Sequence, residues 1–548
     1  MHPLRFLTGC FAVGTLALAF APATAGGLFT TIDPPAAAPA GPAAGISPET
    51  RALYKIKHLI FILQENRSFD NYFGTYPGAD GFPSPLPCLP SKNDPKQCFK
   101  PYLNHAAVNF GGPYENQYQV ADIDGGKMDG FVIQRDEELN REHCGSAQPH
   151  AITIDEEGIP QTGTCVNDVM GYHDGTDLPN YWKYAQNYVL YDHFYESVES
   201  WSLPAHLAIF SGWAAKCTKL DPPDVDSCAS TFGGSAWTGT PKDPTEPYLW
   251  TDITYLLHQH DITWTAYLDH GLSEQAEGLK GVQHIWDVLP GFETVNEDGE
   301  LANSEVNMKQ FYTDAANGAL PQVTWLLPEY PDSEHPQASI GQGQAYVTKL
   351  VNAIMSGPDW SSSAIFIEYD DMGGFYDHEP PPFAIDSLGL GLRVPAMMIS
   401  PYAKTGFIDH QYLSSDSYLK LIEDVFTKSR RMSTTGRPDP RPDYRDASTQ
   451  LGNLDKDFNF QQNPRPPMPL SEHPMSLLTG ESCAARRIER SESPRESRPL
   501  RIHLRRRRRG PRARALFGSA SGAGGGTFRG SAKDQALDLY RAREPLVR

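Results

Sequence analysis

Short unbroken apolar runs alternate along this chain with longer stretches in which apolar residues return every third or fourth position. His58 to Leu63, Tyr188 to Tyr191, Ile262 to Tyr267, Val323 to Leu327 and Ala364 to Tyr369 are runs of the first kind. They are too short for independent helices and predict buried strands covered on both faces. Helical spacing marks Phe69 to Phe73 with Gly74 after it, Tyr181 to Ala185, His206 to Phe210, Leu249 to His260, Phe311 to Gly318, and Tyr346 to Met355 through Val347, Leu350, Val351 and Ile354. A last strand and helix follow between Pro401 and Lys428. Alternation of this kind predicts βαβ units and an α/β fold, a doubly wound, mostly parallel sheet with helices on both faces. Right-handed crossovers would bring the carboxyl ends of the strands to one edge, where such sheets bind ligands.

Where the periodicity fails, composition takes over. Arg5, the apolar stretch Phe11 to Phe20 and Ala23-Thr24-Ala25 describe a secretory signal peptide over residues 1–25, so the mature protein is expected in the periplasm or outside the cell. Leu7-Thr8-Gly9-Cys10 precedes the apolar stretch instead of following it, which argues against lipidation. No other segment approaches the ~20 apolar residues of a membrane span. An Ala/Pro/Gly-rich leader over 26–54 is expected to join the signal to the first strand. Pro83 to Gly171 holds turns, cysteines and acidic clusters with little period, as a disulfide-tied insertion would. Beyond Leu470, residues 471–548 carry 18 Lys and Arg against 8 Asp and Glu, include Arg505 to Arg509 unbroken, and read as a disordered low-complexity tail. The domain proper is thus expected over 55–470.

With Cys10 in the signal and Cys483 in the tail set aside, Cys88, Cys98, Cys144, Cys165, Cys217 and Cys228 remain. Their even number in an exported chain suggests three disulfides, and neighbour pairing would staple three local loops, although sequence alone leaves the connectivity open. No C-x-x-C pair suggests a structural zinc site. The net charge of −20 argues against a nucleic-acid partner.

Chemistry gathers at the ends of the predicted strands. Glu65 and Asn66 follow the first, Glu334-His335 comes after Val323 to Leu327, and Asp370-Asp371 follows Ala364 to Tyr369, with Asp377-His378 beyond. Adjacent carboxylates repel unless a cation neutralises them, so Asp370-Asp371 points to a metal ion. Taken alone, Glu65 and Asn66 equally suit a helix start, and Ser202 before Leu203-Pro204 equally suits an N-cap. His335 and His378 are open to three roles, as metal ligands, as proton donors to a leaving oxygen, or as structural histidines. His143, His173, His193 and His206 are weaker candidates.

Two strings decide among these. ENRSFDNYFGTYPGADG from Glu65 and EYDDMGGFYDHEPPP from Glu368 closely resemble the paired motifs of the bacterial phosphoesterase family that includes secreted phospholipases C and acid phosphatases. LDKDFNFQQNPRPPMPL, Leu454 to Leu470, resembles the family's closing segment, so the resemblance spans the whole expected domain. It implies an alkaline-phosphatase-like α/β fold and a metal-dependent hydrolase of phosphomonoesters or phospholipid headgroups. Glu65, Asn66, Asp370 and Asp371 would hold one or more divalent ions, with Ca, Mg, Mn, Fe or Zn all compatible with the donors. Ser202 stands where the family has a Thr or Ser proposed as nucleophile, and His335 and His378 would be ligands or the leaving-group acid. One departure is visible: the family's Asn-Arg pair is Ala205-His206 here. The alternative from another class is a secreted binding protein with a structural ion on the same fold.

Overall fold

Eight strands form the central sheet of the computed structural model, which describes residues 52–141, 153–154, 160–162, 166–219, 224–229, 247–273 and 280–480. They are β1 (His58–Gln64), β2 (Val189–Tyr191), β3 (Trp264–Leu268), β4 (Val306–Asn307), β5 (Val323–Leu327), β6 (Ser363–Tyr369), β7 (Ala396–Ile399) and β8 (Phe407–Asp409). Their spatial order is β4-β3-β5-β1-β6-β7-β2-β8. β7 runs antiparallel to both neighbours, while the remaining pairings are parallel. β1, β5 and β6 are almost wholly buried, as their unbroken apolar runs require.

Partners in a parallel register point to the same face, so Phe61, Trp325 and Phe366 form one aromatic row. That row packs against Phe210 of a helix, Ser202–Ser211, and Tyr418 of another, Ser415–Phe426. Ala266 is the partner of Trp325, so its neighbour Tyr267 lies on the other face, where it meets Phe311 of the helix Met308–Asn317. Helices therefore cover both faces, as the α/β alternation predicted.

Element boundaries follow caps more than periodicity. The helix expected at Phe311 begins at Met308, its Asn307 side chain accepting from Lys309 N. The one expected at Tyr346 begins at Ile340 behind a Ser339 cap. Leu249 to Asp252 is not helical, and Asp252 caps Ile253–His258 by accepting from Thr254 N. Each cap satisfies a backbone N–H that no earlier turn could bond. β7, between Pro395 and Ser400, has no counterpart among the predicted elements because so short a strand is defined by its neighbours.

Cys88–Cys98 and Cys217–Cys228 are disulfides, agreeing with two of the three neighbour pairs. Cys144 and Cys165 lie outside the described residues, as do the signal segment, most of the leader, and residues 481–548. The boundary at Leu470 needs correction. Asn180 Nδ2 donates to Ser471 O at 2.8 Å, Ser476 Oγ to Asp177 O at 2.9 Å, and Thr479 N to His105 O at 2.6 Å. Residues 471–480 are thus packed on the domain by polar contacts and by Leu478 against the core, which leave no hydrophobic period to read. Truncation after Leu470 should melt several degrees below truncation after Gly480, because each hydrogen bond removed is worth about 0.5–1.5 kcal/mol net. Equal melting by scanning calorimetry would show that the segment contributes nothing.

Candidate active site

Full register between β1 and β6 pairs Gln64 with Tyr369, so the next residues, Glu65 and Asp370, leave the sheet side by side at its carboxyl edge. Asn66 then adopts φ +57°, a left-handed conformation that Asn tolerates better than most residues. The turn places its N–H on Asp370 Oδ1 at 2.9 Å and its side-chain amide on Asp371 Oδ1. Gly373, at φ +61°, closes over this turn; a Cβ there would stand 2.6 Å from Asn66 O, so only glycine fits. Its N–H donates to Asp371 Oδ1 at 2.8 Å.

Ser202 is not an N-cap. Trp201 holds the cap position without a side-chain bond, and Ser202 is the first residue of the helix, with Pro204 tolerated in the first turn because its missing N–H is not needed there. The hydroxyl is therefore free to donate to Asp371 Oδ2, at 3.1 Å. One turn on, and so on the same helix face, is His206, whose Nε2 lies 3.0 Å from Glu65 Oε1 and 3.8 Å from Asp370 Oδ2. All of these side chains are buried.

Burial, reinforced by Asp370 and Asp371, pushes the Glu65 carboxyl well above the usual carboxylate range, and burial together with Asp370 does the same to Asp371. Glu65 Oε2, Asn66 Oδ1 and Asp370 Oδ2 are buried with no hydrogen-bond partner among the described residues. Buried oxygens are rarely left so. Carboxylate, amide, hydroxyl and imidazole donors converging around orphaned oxygens fit a divalent cation, and Glu65, His206 and Asp370 form one ligand group.

The other predicted residues are placed differently. His335 lies against Tyr114, whose hydroxyl is 3.3 Å from its Nε2, while its Nδ1 is 3.1 Å from Pro336 O. Burial holds its pKa below the usual histidine value, against the pull of Asp370. Among the described residues, His378 contacts Asp70, Asp80, Glu379 and Arg393, and none of the groups around Glu65. His173 is bound between Asn109 and Asp177, His193 sits on Asp80 and Asp192, and His143 lies outside the described residues.

His206, one of the weaker candidates on sequence, carries a signal all the same: its spacing of four from Ser202 on a helix gives it the hydroxyl's face. Glu196 and Gln119 carry no such signal. Glu196 Oε1 accepts from Met372 N at 2.6 Å and its Oε2 from Gln119 Nε2 at 2.8 Å, anchoring the backbone directly after Asp371.

Comparison with known proteins identifies the family. The model of the Phosphoesterase family matches residues 56–427. Phospholipase C B of Mycobacterium tuberculosis is 26% identical over 486 residues, covering 83% of this chain and 87% of the relative. Hemolytic phospholipase C of Pseudomonas aeruginosa is 25% identical over 430 residues, covering 70% of this chain and 55% of that longer relative. A solved protein of the alkaline phosphatase superfamily from Vibrio parahaemolyticus is 11% identical over 51% of this chain and 68% of its own, with a TM-score of 0.28, too low to carry an argument. The reading as a non-catalytic binding protein is set aside, and the chain belongs to the Phosphoesterase family of phosphoric ester hydrolases.

Proposed function

We propose that this protein is an exported, divalent-metal-dependent hydrolase of phospholipase C type that uses Ser202 as its nucleophile. The observation that carries the reading is the bond from Ser202 Oγ to Asp371 Oδ2 inside the same cluster as Glu65, Asn66, His206 and Asp370. Bound there by these groups, a divalent ion would supply Lewis-acid chemistry and offset the crowded carboxylates. Asp371 orients the Ser202 hydroxyl and accepts its proton as Oγ bonds to phosphorus. The bond from phosphorus to the leaving oxygen breaks, and that oxygen takes a proton. Solvent supplies the leaving oxygen's proton, and His335, whose pKa burial holds below the usual histidine value, is the group proposed to accept a proton from the water that later releases phosphate from Ser202, while Asp371 returns its proton to Oγ. The signal-like N-terminus and the two disulfides support export.

The relatives' names favour a phospholipid headgroup as substrate, and a simple phosphomonoester is the rival. Hydrolysis of p-nitrophenyl phosphate and of p-nitrophenylphosphorylcholine, each with and without chelator, separates the possibilities. The choline diester should be turned over faster, and chelation should abolish both activities. Undiminished turnover in chelator would overturn the metal-dependent reading, and a preference for the monoester would overturn the phospholipase assignment.

A further inference from the structure

A second group of ligating side chains gathers around His378, outside the cluster at Glu65. Its Nδ1 lies 2.8 Å from Asp70 Oδ2, which also accepts the His378 backbone N–H at 2.9 Å. Arg393 Nη2 approaches the same ring nitrogen at 3.1 Å, but the shorter contact is to a carboxylate, which can only accept and so places the proton on Nδ1. Arg393 is itself tied to Asp377 and Asp70, all three fully buried, so the imidazole is held from behind. Its Nε2 then faces Asp80 Oδ1 at 3.6 Å and Glu379 Oε1 at 3.7 Å, where a bound cation would take the place of the Nε2 proton. Both distances exceed hydrogen-bond range. They are close to the ~3.3 Å that separates ligands around an ion with bonds of about 2.0–2.1 Å in tetrahedral geometry.

Asp80 is fixed from its other side, since His193 Nε2 lies 3.1 Å from Oδ2 and the Asp80 backbone N–H donates to the buried Asp192 at 2.8 Å. Asp80 and Glu379 are 42% and 37% exposed while His378 is only 8% exposed, which leaves a mouth open to solvent over a rigid imidazole. A buried carboxylate orienting a histidine whose far nitrogen meets further carboxylates is the arrangement by which proteins set a metal-bound imidazole.

We propose that His378 Nε2, Asp80 and Glu379 form a second divalent-cation site, distinct from the one at Glu65, for an ion that accepts both imidazole and carboxylate, such as Zn2+ or Mn2+. The site joins the loop after Phe69–Phe73 to the Gly-Gly-Phe-Tyr-Asp-His loop, so its ion would brace two segments that flank the catalytic strand ends.

The test is zinc stoichiometry of the full chain, by elemental analysis after dialysis and by titration calorimetry with zinc alone. Replacing His378 also removes a partner of Asp70 and risks misfolding, so the solvent-facing pair Asp80→Asn with Glu379→Gln carries the experiment. This double variant should bind one equivalent fewer than wild type, keep wild-type turnover, and lose most of the melting-temperature rise that zinc gives the wild type. Unchanged stoichiometry, or an equal rise in melting temperature, would overturn the site. A wild type whose bound zinc is all lost on Glu65→Gln would overturn it as well.

Discussion

Ser202→Ala is expected to fold normally and to turn over phosphoesters on the order of 10⁶-fold more slowly, the scale of loss when a serine nucleophile is removed from an otherwise intact site. The expectation rests on what the hydroxyl bonds. It takes no part in capping its helix and donates to Asp371 Oδ2, so its removal deprives the site of a reacting atom while taking from the fold one hydrogen bond to a carboxylate, worth about 1.5–3 kcal/mol. Helix content and melting temperature should stay near wild type, and Ser202→Thr should restore part of the activity because it restores the hydroxyl. A folded Ser202→Ala enzyme with wild-type turnover would place the nucleophile elsewhere.

Glu65→Gln and Asp370→Asn should each lower bound metal and activity together. Glu65 faces His206 Nε2 at 3.0 Å, and Asp370 fixes the Asn66 turn at 2.9 Å while its other oxygen has no hydrogen-bond partner among the described residues. Each amide removes a charge that a cation would offset, and removal of the ion from wild type should raise the apparent pKa values of the remaining carboxylates. Asp377→Asn is the informative control. Asp377 is buried against Arg393 at 2.9 Å, so its loss should appear as about 3–5 kcal/mol of stability and leave the metal at Glu65 in place. Elemental analysis decides the matter. A metal-free but active wild type, or full occupancy in both Glu65→Gln and Asp370→Asn, would mean that the acidic pairs serve another purpose.

Part of this site is legible in the sequence. Glu65 and Asp370 can be placed because each directly follows an unbroken apolar run, and a buried parallel strand presents whatever follows it at the sheet's carboxyl edge. His206 is harder to read because it stands where the family pattern has another residue. With Ala205-His206 in place of Asn-Arg, the motif offers no guide to the imidazole, and only its helical spacing from Ser202 marks it. His378 is legible as a motif residue only. Its position depends on Asp70 and Arg393, and Arg393 comes from the loop before β7, whose pairing no local pattern announces.

By itself, the sequence determined the α/β class, six of the sheet's eight strands and the residues that end the central strands, and it suggested the neighbour pairing of the cysteines, because each depends on local apolar runs, turn chemistry or short spacing. Tertiary structure alone decided the strand order, the antiparallel β7, the packing of residues 471–480 on the domain, and the meeting of Glu65, His206 and Asp370. Those features arise from register between segments far apart in the chain, where the energy of each contact depends on a partner that no local pattern specifies.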